Sequence, residues 1–190
     1  MAQVAYKKRL LTVKDFLEMG RQGILRPDER VELIRGEIVV MAPQGPVHAN
    51  CIRRLTMLFT RRIVEHGHDI AEVSVQLPMV TSEHDAPEPD VTLVRAGDYA
   101  DRHPAGGDVL LAVEVSVTTL RYDRDVKVPL FAEAGIPEVW IVNFEENVLE
   151  VYRDLHEGRY RNRLSLSTGE EVSVVLLPEL GSLKVEDLLG

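Results

Sequence analysis

The 190-residue sequence has a single cysteine, Cys51, so no internal disulfide can form. A lone unpaired thiol fits a reducing compartment better than an oxidising one. Aromatic residues are scarce at 5%, and no apolar run approaches the roughly 18 residues of a membrane span. Lysines and an arginine interrupt the first segment, MAQVAYKKRLLTVKDFLEMG, where a leader would need an apolar core. Positive charge is also in deficit, with 22 Lys and Arg against 31 Asp and Glu and a net charge of −9. That balance excludes nucleic-acid binding by bulk electrostatics, though it leaves room for a local basic groove. The expectation is a cytoplasmic protein without membrane association.

What is present is ordinary globular composition, 45% hydrophobic and 28% charged, in a length suited to one domain spanning 1–190. Apolar Leu11, Val13, Phe16, Leu17 and Met19 predict a short helix, with Thr12 as its N-cap and Gly20 as its stop. RVELIRGEIVVMAP reads as a β-hairpin turning at Arg35-Gly36. Between His48 and His66, Ile52, Leu55, Leu58, Phe59 and Ile63 recur at helical spacing. Strands are expected at 70–77, 90–94, 109–117, 139–143 and 148–152, with a helix over 122–135 that Pro129 complicates. The basic run RYRNR at 159–163 reads as a solvated loop able to touch phosphate, and the tail as one strand and a terminal turn. The order predicts a mixed α/β or α+β domain around one central sheet.

Two acidic residues fall where strands should be. Asp90 follows APEP, and Glu114 sits inside the apolar run LLAVEVSV, 24 residues later. That spacing suits neighbouring strands joined through Gly106-Gly107, which brings two carboxylates together at a sheet edge. Paired carboxylates repel unless one is protonated or a cation lies between them, and oxygen donors of this kind suit Mg²⁺. Lys127, 13 residues beyond Glu114, could pair with it or polarise a metal-held water. Asp123 precedes Lys127 by four residues, a spacing that shares one helix face if the segment is α-helical there. The same residue types also fit plainer roles: a buried Glu114–Lys127 ion pair, Asp90 as a strand-start residue, His48 as a helix cap, Glu32 as a solvated hairpin residue and Cys51 as a core thiol.

PEPDVTLV, LLAVEVSVTTLRYDRDVKVPLFAEAGIPEVWIVN and VLEVYR, with VELIRGEIVVMAPQGPVHANCIRRL upstream, resemble the Uma-two family of restriction endonuclease-like proteins. That family is a branch of the PD-(D/E)XK nuclease superfamily. The resemblance covers about Leu11 to Arg153. It implies an αβββαβ core with an added N-terminal helix and hairpin, and metal-dependent hydrolysis of DNA by Asp90, Glu114 and Lys127. Mg²⁺ or Mn²⁺ would be held by Asp90, Glu114 and the carbonyl of Val115. Position 116, where the superfamily's motif lysine would fall, is Ser116; the resemblance puts that lysine at Lys127 instead. Glu32, His48, Gln76, Ser116 and Asp123 are implied accessory residues. Partners implied are DNA and a second copy of the chain, since cutting two strands takes two sites. A module that keeps the fold but binds nucleic acid or protein without cleaving it is the alternative.

Overall fold

The computed structural model describes residues 8–26, 28–67 and 69–190. Residues 1–7, part of the segment read for a leader, lie outside the described residues. Helix α1 (Val13–Arg21) begins at Thr12, whose side chain and that of Asp15 form a reciprocal capping box. The helix runs through Gly20 to Arg21 rather than stopping at the glycine. Strands β1 (Val31–Ile34) and β2 (Glu37–Val40) form the expected hairpin. Arg35 and Gly36 at its tip both have positive φ, the two-residue turn whose twist matches the strands. Helix α2 (Pro46–His66) starts two residues before His48 and buries Cys51, Ile52, Leu55, Phe59 and Ile63.

Strands β3 (Glu72–Val75), β4 (Val91–Val94) and β5 (Val109–Ser116) follow. A helical segment comes next: α3 (Leu120–Tyr122), a π-turn over Asp123–Lys127, and α4 (Val128–Glu133). Pro129 therefore lies in the first turn of α4, after the ladder has widened to i→i+5, where its missing N–H is least disruptive. Strands β6 (Val139–Asn143), β7 (Val148–His156) and β8 (Arg159–Leu166) complete a six-stranded sheet in the order β3-β4-β5-β6-β7-β8. The β5–β6 pair is parallel, crossed by α3 and α4, and every other pair is antiparallel.

One face of the sheet, with Val91, Leu93, Val113, Val115 and Trp140, packs on α2 and the C-terminal helix α5 (Val185–Leu189). The other, with Ala112, Val139 and Ile141, packs on α4. A third cluster joins Val13 and Phe16 of α1 to Val31 and Leu33 of the hairpin. Burial on both faces explains why β5 reads as a nearly continuous apolar run.

The RYRNR segment is strand β8, not a loop, and pairs with β7 along its length. The tail also holds more than one strand and a turn. A small two-stranded sheet, β9 (Glu171–Val172) with β10 (Leu183–Lys184), precedes α5 (Val185–Leu189). These elements, with the short 3-10 turn Pro178–Leu180 before β10, seal the α2 face through Leu180, Leu183 and Leu188, which brevity had hidden from periodicity.

Candidate active site

Asp90 and Glu114 come together at one end of β4 and β5. Val91 pairs with Val113 in the antiparallel ladder, so one step outward sets Asp90 opposite Glu114. Both carboxyls line one cleft of about 470 Å³. The position corrects the sheet-edge expectation, because β4 and β5 are inner strands and the cleft opens at their ends. The β2 residues Val39 and Val40, with Met41, form one wall; Thr118, Thr119 and Tyr122 form another.

Asp90 is held from three directions. The Val115 N–H donates to its Oδ2 at 2.9 Å, His48 Nε2 lies 3.0 Å from the same oxygen, and Gln76 Nε2 donates to Oδ1 at 3.2 Å. Gln76 adopts a positive φ of 49°, a costly conformation for a side-chain-bearing residue, and its N–H also donates to the Asp90 carbonyl. In an antiparallel strand, a residue's N–H and C=O point to the same neighbour. The Val115 carbonyl therefore faces the side on which its N–H meets Asp90.

Glu114 alternates with the buried Val113 and Val115, which turns it onto the α4 face. There Lys127 Nζ donates to its Oε1 at 3.1 Å, and to Glu32 Oε1 at 2.5 Å. The Glu32 oxygen also accepts the Glu88 N–H at 2.7 Å, while its Oε2 is buried with no partner among the described residues. Lys127 is 1% exposed and lies behind Glu114, outside the cleft lining. Burial works against its ammonium, but Glu114 and Glu32 outweigh that and hold it protonated. Burial drives the Glu114 carboxyl well above its ordinary range; Lys127 opposes this, while Asp90, Asp123 and Glu32 add to it. Asp123 is likewise raised by burial, against the hydroxyls of Ser116 (2.5 Å) and Thr119 (2.7 Å), which donate to its Oδ2.

Of the residues named from the sequence, Asp90, Glu114, Val115, His48 and Asp123 line the cleft. Gln76 braces Asp90, Glu32 and Lys127 lie beneath, and Ser116 clasps Asp123. Sequence reasoning passed over Arg30, Gln44 and Tyr122, which also line it. Each sits in an unpatterned position at an element boundary. Burial pushes the Tyr122 hydroxyl up to about 12, and it has no partner among the described residues.

Among the described residues Glu32 and Glu114 contact the buried Lys127 ammonium and Asp123 adds its charge from farther off, while Asp90 crowds Glu114 from the cleft side. No group of three or more His, Cys, Asp or Glu side chains among the described residues is placed to hold a metal ion. Mg²⁺-type ions do not need such a group; one or two carboxylates, water and substrate phosphate complete their shell. The donors fit such an ion. Asp90, Glu114 and the Val115 carbonyl are all hard oxygen ligands, and Glu114 Oε2 makes no hydrogen bond to the described residues.

The chain thus sets a helix before a six-stranded mixed sheet, an architecture shared with a solved protein. The crystal structure of "a putative nuclease belonging to DUF820" from Anabaena variabilis ATCC 29413 has this fold, with a TM-score of 0.72 at 17% identity. That likeness covers 94% of this chain and 97% of that one. The family model Uma2, "Putative restriction endonuclease", matches residues 13–186, and the chain belongs to that family. No curated protein matches the chain.

Proposed function

We propose that the protein is a metal-dependent endonuclease that hydrolyses DNA phosphodiester bonds. The observation that carries this reading is the excess of carboxyl over ammonium groups at the cleft floor, where burial drives Glu114 toward its neutral form and the charges of Asp90, Asp123 and Glu32 add to it against the single ammonium of Lys127. Asp90, Glu114 and the Val115 carbonyl would hold Mg²⁺ or Mn²⁺. When bound, such an ion supplies neutralisation of phosphate charge and a water of lowered pKa.

The chain's own groups do the positioning. The Val115 N–H, His48 and Gln76 fix the Asp90 carboxylate before any ligand arrives. Lys127, with Glu32 behind it, fixes Glu114 and keeps one positive charge in a place water cannot screen. Its burial supports a positioning role through Glu114 over direct contact with an attacking water. Val39, Val40 and Met41 narrow the cleft and limit solvent around the reacting phosphate.

The same burial favours a second reading, in which the Lys127 cluster is purely structural and the fold binds without cutting. Plasmid, linear and single-stranded DNA incubated with Mg²⁺, Mn²⁺ or chelator separate the two. Cleavage that needs the metal and is lost in Glu114→Gln supports hydrolysis. DNA binding with no cleavage under any metal overturns it.

A further inference from the structure

Arg30 is the only Lys or Arg among the described residues lining the cleft. It stands one residue before β1, opposite Met41, whose N–H donates to the Arg30 carbonyl at 2.9 Å. Alternate residues of a strand share a face, so Arg30 lies on the hairpin face of Glu32, one step nearer the opening. Arg30 as a residue is half-buried, and its guanidinium makes no ion pair with the described residues. The charge of Glu88 is felt nearby, but no bridge forms. The side chain the guanidinium meets at hydrogen-bond distance among the described residues is the Gln44 amide, which satisfies its surroundings with its oxygen toward Arg30, accepting at 2.9 and 3.1 Å. That oxygen also meets Gln76 Nε2, which donates to Asp90. A chain of hydrogen-bonding groups thus runs from Arg30 through Gln44 and Gln76 to the candidate metal-binding carboxylate.

A guanidinium on a half-buried residue with no carboxylate bridged to it, in a cleft with carboxyls at its floor, is prepared for an incoming anion. The planar fork suits two non-bridging phosphate oxygens. We propose that Arg30 is the phosphate clamp of this cleft, gripping a nucleic-acid phosphate and setting it against Asp90 through Gln44 and Gln76. The proposal rests on the reading of the cleft as a nuclease site, and it makes binding by this acidic protein depend on one local cation.

The test is anisotropy of a labelled single-stranded oligonucleotide in chelator, over a range of salt, with melting curves as the check on folding. Arg30→Gln should weaken binding about tenfold or more and reduce the salt slope by about one. Arg30→Lys should restore the slope but only part of the affinity. Arg61→Gln, which alters an exposed arginine already paired with Glu65 on α2, should bind as wild type. Equal binding by Arg30→Gln and wild type, an equal loss in Arg61→Gln, or no binding by wild type overturns the clamp. Cleavage assays keep the two readings apart. Arg30-dependent binding without metal-dependent cleavage overturns hydrolysis and leaves the clamp standing; cleavage with an unchanged KM in Arg30→Gln overturns the clamp alone.

Discussion

Lys127 Nζ lies 2.5 Å from Glu32 Oε1, an ion pair that ties the N-terminal hairpin to a helical turn 95 residues later. It is the closer of the two contacts this ammonium makes, Glu114 being the other at 3.1 Å. Removing Lys127 would leave Glu32 as an uncompensated buried charge, so Lys127→Met should destabilise the protein by roughly 3–5 kcal/mol. Urea denaturation checks this, and an unchanged midpoint would contradict it.

Because the ammonium keeps Glu32, losing Glu114's charge should matter much less. Glu114→Gln should melt in chelator at or above the wild-type temperature, since it relieves crowding among carboxyls. It should also lose the stabilisation that Mn²⁺ gives the wild type. Glu32→Gln should melt lower than Glu114→Gln in chelator. The reverse order would assign Glu114 the structural role.

Glu150 on β7 has a fully buried side chain that accepts from Arg124, Asn143 (2.8 Å) and Tyr152 (2.6 Å), with Arg163 Nη2 at 3.0 Å. Burial pushes its carboxyl up, but the hydrogen bonds from Arg124, Tyr152 and Asn143 outweigh it and leave the group below its ordinary 4.5. A depressed folded value means the native state resists protonation. Its stabilisation is therefore complete above 4.5 and fades as pH falls through the lower folded value. Glu150→Gln should be less stable than wild type at neutral pH, and the gap should shrink on acidification. Thermal melts from pH 7 down to pH 3 would show a constant gap if this is wrong.

Cys51 is fully buried in the α2 core, where burial pushes its thiol up to about 11. A chromogenic disulfide reagent at pH 8 should leave it untouched in the native protein and titrate one thiol in denaturant. Rapid reaction of the native thiol would refute the core assignment.

Gly106 opens the approach to β5, and a Cβ there would lie 2.2 Å from the Ala134 carbonyl oxygen. Backbone must move to admit it. Gly106→Ala should cost about 1–3 kcal/mol, read as a shifted denaturation midpoint. Gly107, with open space around it, should tolerate alanine.

The legible parts of the fold are those with strong periodicity: α2, the hairpin turn and the inner strands. Glu114 was visible because a carboxylate inside an apolar strand is rare enough to demand a reason, and Asp90 because it stands just before β4, the strand paired with β5. Strand β8 was hidden by its arginines, since an edge strand carries charge on exposed positions and Arg163 meets its counter-charge, Glu150, only in three dimensions. Arg30 and Tyr122 had no local signal, because what distinguishes them is the cleft they border. The long-range Lys127–Glu32 contact likewise has no trace in spacing.

The π-turn over Asp123–Lys127 places a constraint on chain length rather than on residue identity. Deleting one residue between Leu120 and Val128 would let an ordinary α-helix form, and everything on one side of the cut would rotate by about 100° relative to the other. With α4 anchored on the sheet by Phe131, the Asp123 clasp with Ser116 would swing away. With Asp123 retained, Lys127 would leave the two glutamates. Related chains should therefore vary side chains here more freely than they gain or lose a residue, and an alignment gap in this segment would mark a member whose buried charges are arranged differently.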